Sequence, residues 1–192
     1  RMEDNNRQTL PSDIVRDIIP YKDLLIVATQ NGVCLFDPDS GKCRQLFKDS
    51  KEGKSIKMVA DILLDSEGTL WIAATGEGVF NYRFDTRKLT NYRHDSANPN
   101  SLSNNNVNNI MQDSQGHLWF STSGSGLDLY HPANNDFENF DKEKNGLASD
   151  CVYETQESAA SGKLLLITNQ ASPFLTIRTC ILRITAPKMG FR

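Results

Sequence analysis

This sequence predicts an all-β chain of about four repeated blades, each a four-stranded antiparallel sheet. Three observations predict it. A unit of 46–48 residues recurs along the 192 residues. Within each unit, short apolar runs alternate with turns rich in Gly, Asp, Asn and Ser. No stretch sustains the 3.6-residue apolar period of an amphipathic helix, so helix is minor.

The repeat is clearest in the middle of the chain. Asp65-Ser66-Glu67-Gly68-Thr69-Leu70-Trp71 aligns with Asp113-Ser114-Gln115-Gly116-His117-Leu118-Trp119 at an offset of 48, and the later glycines Gly76 and Gly78 align with Gly124 and Gly126. A third copy lies 46 residues earlier: Leu24 matches Leu70, Ala28 matches Ala74 and Gly32 matches Gly78. A fourth, weaker copy is Gly162-Lys163-Leu164-Leu165-Leu166-Ile167-Thr168, 46 residues after Gly116 to Thr122. A shorter motif, L-x-[SN]-[DN]-x-V, precedes three of these copies, at Leu10–Val15, Leu102–Val107 and Leu147–Val152. The second unit keeps only its Val, as Val59.

The second unit shows why four strands are expected. Val59 to Leu64 is apolar and suits a buried first strand, A. Asp65 to Gly68 has Asp at the first and Gly at the fourth turn position, the chemistry of a tight reversal. Leu70 to Thr75 is strand B. Gly76-Glu77-Gly78 permits the next reversal, because glycine tolerates positive φ. Strand C, Val79 to Phe84, sets Phe80, Tyr82 and Phe84 on one face. Asp85 to Lys88 turns the chain into strand D, Leu89 to Arg93. Four short strands in a unit of this size match a β-propeller blade.

Composition bounds what such a chain does. It is 38% hydrophobic and 23% charged, as a globular protein is, with a net charge of −3. That balance argues against nucleic-acid partners and against adhesion to an anionic membrane. No run of 18 apolar residues occurs, so no membrane insertion by this chain is expected. The polar opening Arg1 to Asn6 has no apolar stretch of a signal peptide. Cys34, Cys43, Cys151 and Cys180 form no C-x-x-C and read as free thiols, with Cys34 and Cys43 able to meet only across a hairpin. His94, His117 and His131 stand singly and read as surface residues. No metal, cofactor or catalytic residue is expected. Asp37-Pro38-Asp39-Ser40-Gly41 hints at a calcium loop, but Lys48 stands where such a loop needs Glu.

The pattern I-x-x-D-x-x-G-x-L-W-[IF]-x-x-x-G-x-G-[VL], carried by Ile62 to Val79 and by Ile110 to Leu127, resembles the regulator-type propeller repeat. That repeat builds the periplasmic sensor region of bacterial hybrid two-component systems, above all in glycan-degrading gut bacteria. The L-x-[SN]-[DN]-x-V prelude belongs to the same pattern, and the resemblance extends over about residues 8 to 170. In the fourth copy Leu165 replaces Trp and Ser172 falls where the later glycine belongs. The resemblance implies a periplasmic fragment of a sensor domain that binds a glycan-derived oligosaccharide and contributes to signal transduction without catalysis. The alternatives are a propeller-type glycan hydrolase or lyase, and a scaffold or truncated remnant without ligand. A glycosidase needs a pair of carboxylates across a cleft, and no pair is singled out here.

In a propeller, the B–C loops and the D–A connections share one face. Asn31, Glu77, Asn104, Asn105, Ser123 and Ser125 are the candidate ligand-binding residues on it, because amides, hydroxyls and carboxylates suit sugar hydroxyls. Turns select the same residue types for their own backbone needs. Trp71 and Trp119, fixed within strand B, read as core packing between blades rather than as sugar platforms.

The expected organisation is a leader at 1–9, blades over 10–170 and an atypical tail at 171–192. The tail holds four basic residues and no acidic one. It reads either as the product of a frameshifted or truncated gene or as a closing strand for the last blade. Propellers usually close with four to eight blades. Self-association, or the missing blades of a longer parent sensor, is therefore expected to cover the open ends.

Overall fold

A computed structural model describes residues 9–169 and the backbone of 180–182. Within them, four antiparallel sheets follow one another along the chain. Blade 1 holds β1 (Val15–Tyr21), β2 (Leu24–Thr29), β3 (Gly32–Phe36) and β4 (Cys43–Gln45). Blade 2 holds β5 (Val59–Leu64), β6 (Thr69–Ala74), β7 (Gly78–Arg83) and β8 (Lys88–Tyr92). Blade 3 holds β9 (Val107–Gln112), β10 (Leu118–Thr122), β11 (Leu127–His131) and β12 (Asp136–Phe140). In blade 4 the described residues give three strands, β13 (Val152–Glu157), β14 (Leu164–Thr168) and β15 (Cys180–Leu182). β15 comes from the segment expected as a tail and pairs antiparallel with β14, Leu165 opposite Ile181. The remainder of that tail, and residues 1–8 of the expected leader, lie outside the described residues.

The first strands β1, β5, β9 and β13 lie side by side, each against the next, so strand A is the inner strand of every blade. Each carries a register break one residue after its first valine, between Val15 and Asp17, Val59 and Asp61, and Val152 and Glu154, with the matching break in β9 opposite Ser121 and Thr122. Such a bulge re-aims the residue beyond it. In blade 2 that residue is Asp61, whose Oδ2 accepts from the Ile110 amide at 2.7 Å and from Asn109 Nδ2 at 2.9 Å. Asn109 Oδ1 in turn accepts the Thr155 amide at 3.0 Å. The inner strands of blades 2, 3 and 4 are thus stitched by side chains.

The core lies between the blades. β6 sends Leu70, Ile72 and Ala74 into a cluster with Ile26, Ala28 and Leu35 of blade 1. Its alternate residues Trp71 and Ala73 enter a cluster with Ile110, Leu118 and Phe120 of blade 3. Trp119 does the same toward Val152, Leu164 and Leu166 of blade 4. A strand buried on both faces reads as a continuous apolar run, which is why strand B shows no alternation. Trp71 is 2% exposed and Trp119 1%, as core packing requires. On the side of blade 1 away from blade 2, Val27, Cys34 and Cys43 form a small cluster with Leu10, Leu25 and Phe36. Cys34 and Cys43 are adjacent across the β3–β4 hairpin as free thiols.

Candidate functional site

The repeated motif explains itself in hydrogen bonds. Asp65 Oδ1 accepts the amides of Glu67 at 3.0 Å and Thr69 at 2.8 Å, which closes the A–B turn, and its Oδ2 accepts the Trp71 indole N–H at 2.8 Å. Asp113 repeats the arrangement with the amides of Gln115 and His117 and with Trp119 Nε1 at 3.0 Å. One carboxylate therefore shapes the turn and satisfies the one polar atom of a buried tryptophan. Burial alone would raise the Asp113 carboxyl, but hydrogen bonds from Trp119 and His117 outweigh it and hold the group below its ordinary value.

The prelude motif is equally structural. Its [SN] side chain caps a local turn: Ser12 Oγ accepts the Ile14 amide at 3.2 Å, Asn104 Oδ1 the Asn106 amide at 2.9 Å, and Ser149 Oγ the Cys151 amide at 3.0 Å. Its [DN] side chain receives the chain leaving the preceding strand D: Asn105 Oδ1 accepts the His94 amide at 2.8 Å, and Asp150 Oδ1 the Lys142 amide at 2.6 Å. The backbone carbonyl of the same residue clasps the preceding blade's B–C loop. Asn105 O accepts the amides of Gly76 at 3.1 Å and Gly78 at 3.0 Å, and Asp150 O those of Gly124 at 3.0 Å and Gly126 at 2.7 Å.

The candidate ligand residues divide accordingly. Asn104, Ser123 and Ser125 come together: Asn104 Nδ2 donates to Ser125 Oγ at 3.2 Å and to the Ser123 carbonyl at 3.3 Å, and Ser123 Oγ donates to Asn108 Oδ1 at 2.8 Å. Asn105 adjoins them through its turn. Glu77 stands apart in an ion pair with Arg93, which also donates to the carbonyl of Gly76. Asn31 is exposed in blade 1, where its carbonyl accepts from Gln45 Nε2 at 3.4 Å.

Of the six, Ser125 opens into a cleft of about 380 Å³ between the D–A connections that flank blade 3. One wall is the loop from His94 to Ser103; the other is the loop holding α1 (Lys142–Asn145), capped by Asp141 and ended by Gly146 in the left-handed conformation. The cleft presents hydroxyls, amides and carboxylates, and the side chains of Ser96 and Glu143 hold no hydrogen bond among the described residues. Behind two of its lining residues, and fully buried, is Asp128, which accepts from Ser103 Oγ at 2.8 Å and Asn139 Nδ2 at 3.1 Å. Burial pushes its carboxyl up to about 6, against the pull of those hydrogen bonds. Sequence reasoning missed Asp128; the signal was a single carboxylate between Leu127 and Leu129 in an apolar strand. A smaller cleft of about 290 Å³ between blades 1 and 2 includes Asn31 with Lys48, Lys54 and Lys57.

Among the described residues, no helix is long and apolar enough to cross a membrane. Residues 101–124, which run from the prelude of blade 3 through its strand B, match the family described as two component regulator propeller. No curated protein sequence matches the chain. Among solved structures, the chain is similar to the extracellular domain of BT3049 of B. thetaiotaomicron, described as a hybrid two component system: 24% identity, TM-score 0.74, covering 84% of this chain and 23% of that one. It is similar also to the extracellular domain of BT4673 of the same organism, described as a one component system, at 23% identity and TM-score 0.65 over 86% of this chain and 22% of that one. An inactive variant of virginiamycin B lyase from Staphylococcus aureus shares the fold more distantly, at 15% identity and TM-score 0.53, over 93% of this chain and 59% of that one. The chain thus spans about a quarter of the length of these two extracellular-domain structures. Its sheets are β-propeller blades, and residues 101–124 in the third of them match the two component regulator propeller repeat.

Proposed function

We propose that this chain is part of the periplasmic sensor domain of a two-component system, that it binds a glycan-derived oligosaccharide and that it contributes to signalling without catalysing a reaction. The observation that carries the reading is the polar cleft beside blade 3, to which the matched residues 101–124 contribute Ser101, Ser103 and Gly124. Its hydroxyl, amide and carboxylate lining offers both donors and acceptors, as a polyhydroxyl ligand requires. The similar extracellular domains favour a location outside the cytoplasm. A second copy of this chain, or further blades of a longer parent, completes the ring in this reading; a strictly monomeric chain by light scattering at micromolar concentration would remove the first option.

Calorimetric titration against a panel of oligosaccharides tests the reading. Saturable binding at this cleft is expected, lost for that sugar when Ser125→Trp fills it, with no sugar consumed over the titration. Absence of binding across the panel, or turnover of a bound sugar, would overturn it.

A further inference from the structure

A separate cleft, of about 460 Å³, opens between blades 1 and 2 toward the A–B and C–D turns, the face opposite the one described above. Its wall is aromatic. Tyr21 stacks on Phe84 with centroids 4.3 Å apart and planes at 18°, and Tyr82 meets Phe84 edge-on at 5.0 Å. All three rings are only partly buried. Around them stand Lys22, Arg44 and Arg87, with no acidic residue in the lining. Lys22 Nζ lies 5.4 Å from the centroid of Tyr21.

These polar groups are unspent. Among the described residues, the hydroxyls of Tyr21 and Tyr82 hold no hydrogen bond, and Lys22, Arg44 and Arg87 hold no ion pair. Two other arginines of blade 2 are paired, Arg83 with Asp85 at 3.3 Å and Arg93 with Glu77. Three cations thus line one cleft with no carboxylate among its lining residues, in a chain whose net charge is −3. Lys22 and Arg87 also occupy left-handed backbone positions, φ 55° in each, where Gly or Asn would cost less.

We infer that this cleft binds an anionic saccharide, with the Tyr21, Tyr82 and Phe84 rings against the sugar's C–H face and Arg44, Arg87 and Lys22 on its carboxylate or sulfate. A guanidinium fork matches either oxyanion in two parallel hydrogen bonds. The free tyrosine hydroxyls serve the sugar hydroxyls. The choice of a sugar rests on the function proposed above; the anionic character and the location rest on this cleft alone.

The test is calorimetric titration of the chain with three disaccharides: one bearing a uronate, one bearing a sulfate ester and one neutral. At least one anionic sugar is expected to bind tenfold or more tightly than the neutral one, and to weaken as salt is raised. The double variant Arg44→Ala/Arg87→Ala should lose tenfold or more for that sugar, with unchanged thermal midpoint, whereas Ser125→Trp on the other face should leave it unchanged. The uronate and sulfate arms identify which oxyanion is preferred. Equal affinity for neutral and anionic sugars, or anionic binding insensitive to the arginine variants, would overturn this inference while leaving an oligosaccharide sensor intact. Sensitivity to Ser125→Trp alone would place all binding in the first cleft and likewise overturn it. Binding of none of the three, with none across a wider sugar panel, would overturn both.

Discussion

Blades 2 and 3 tie a tryptophan to a turn carboxylate, while blades 1 and 4 do without both. In blade 1 the A–B reversal is the two residues Lys22 and Asp23, and Leu25 stands in the tryptophan position. In blade 4 the loop is a residue longer, closed by the Ser158 amide donating to the Lys163 carbonyl at 2.8 Å, and Leu165 takes the tryptophan position. All four nevertheless pair their first two strands antiparallel with the same bulge. The motif is therefore one of several ways to turn from strand A to strand B. Its particular contribution is a large ring, hydrogen-bonded at its polar atom, filling the space between two blades.

The largest expected effect follows from that contrast. Trp71→Ala and Trp119→Ala should each cost about 3–5 kcal/mol in urea unfolding, the range for emptying a buried aromatic site. Leu25→Ala, at a half-buried position, should cost less than about 2 kcal/mol. Equal losses would break the distinction between the blades.

The paired glycines sharpen it. A Cβ at Gly78 or Gly126 would fall on the carbonyl oxygen of Tyr92 or Phe140, whereas at Gly76 or Gly124 it meets open space. Both members of each pair have positive φ. Gly126→Ala should therefore cost about 3 kcal/mol and Gly124→Ala about 1 kcal/mol, the difference being the clash with backbone. Similar values would show that φ alone sets the cost of these loops.

The smallest effect is in pH dependence. Asp113 has a lowered folded-state pKa, so its contribution to stability is present above the ordinary carboxylate range and lost as pH falls through the folded value. Asp61 is pushed up to about 6, chiefly by burial and with help from the Asp17 charge, and Asp128 is pushed up to about 6 by burial. Each of these holds its proton longer folded than unfolded, so stability declines as pH rises from about 4 through about 6. Asp61→Asn should flatten that decline, and Asp113→Asn should flatten the acid limb, both read as urea midpoints against pH. A decline unchanged by Asp61→Asn and Asp128→Asn together would assign it elsewhere.

Much of the fold was legible because a propeller writes its unit into the chain several times over. Trp71 and Trp119 could be placed in the core from their fixed position in strand B, and the A–B turn from Asp65 and Gly68. The proposed ligand face was less legible, because its residue types answer two needs at once. Asn104, Asn105 and Ser123 look like sugar ligands in sequence, yet their side chains meet backbone amides, a carbonyl and the Asn108 amide group. Residues that no motif marks, Tyr21, Arg44 and Arg87, come from separate hairpins in two blades and meet only when the blades pack.

The sequence by itself determined the blade: its length, its turns and the strand that faces both neighbours. These are set by contacts within about fifty residues, where periodicity and turn chemistry act locally. Only the tertiary structure decided which polar groups remain free to meet a ligand. Whether a side chain is spent or unspent depends on how loops and strands fold back on one another, as when Ser123 meets Asn108 or Glu77 meets Arg93, and no residue type by itself records that pairing.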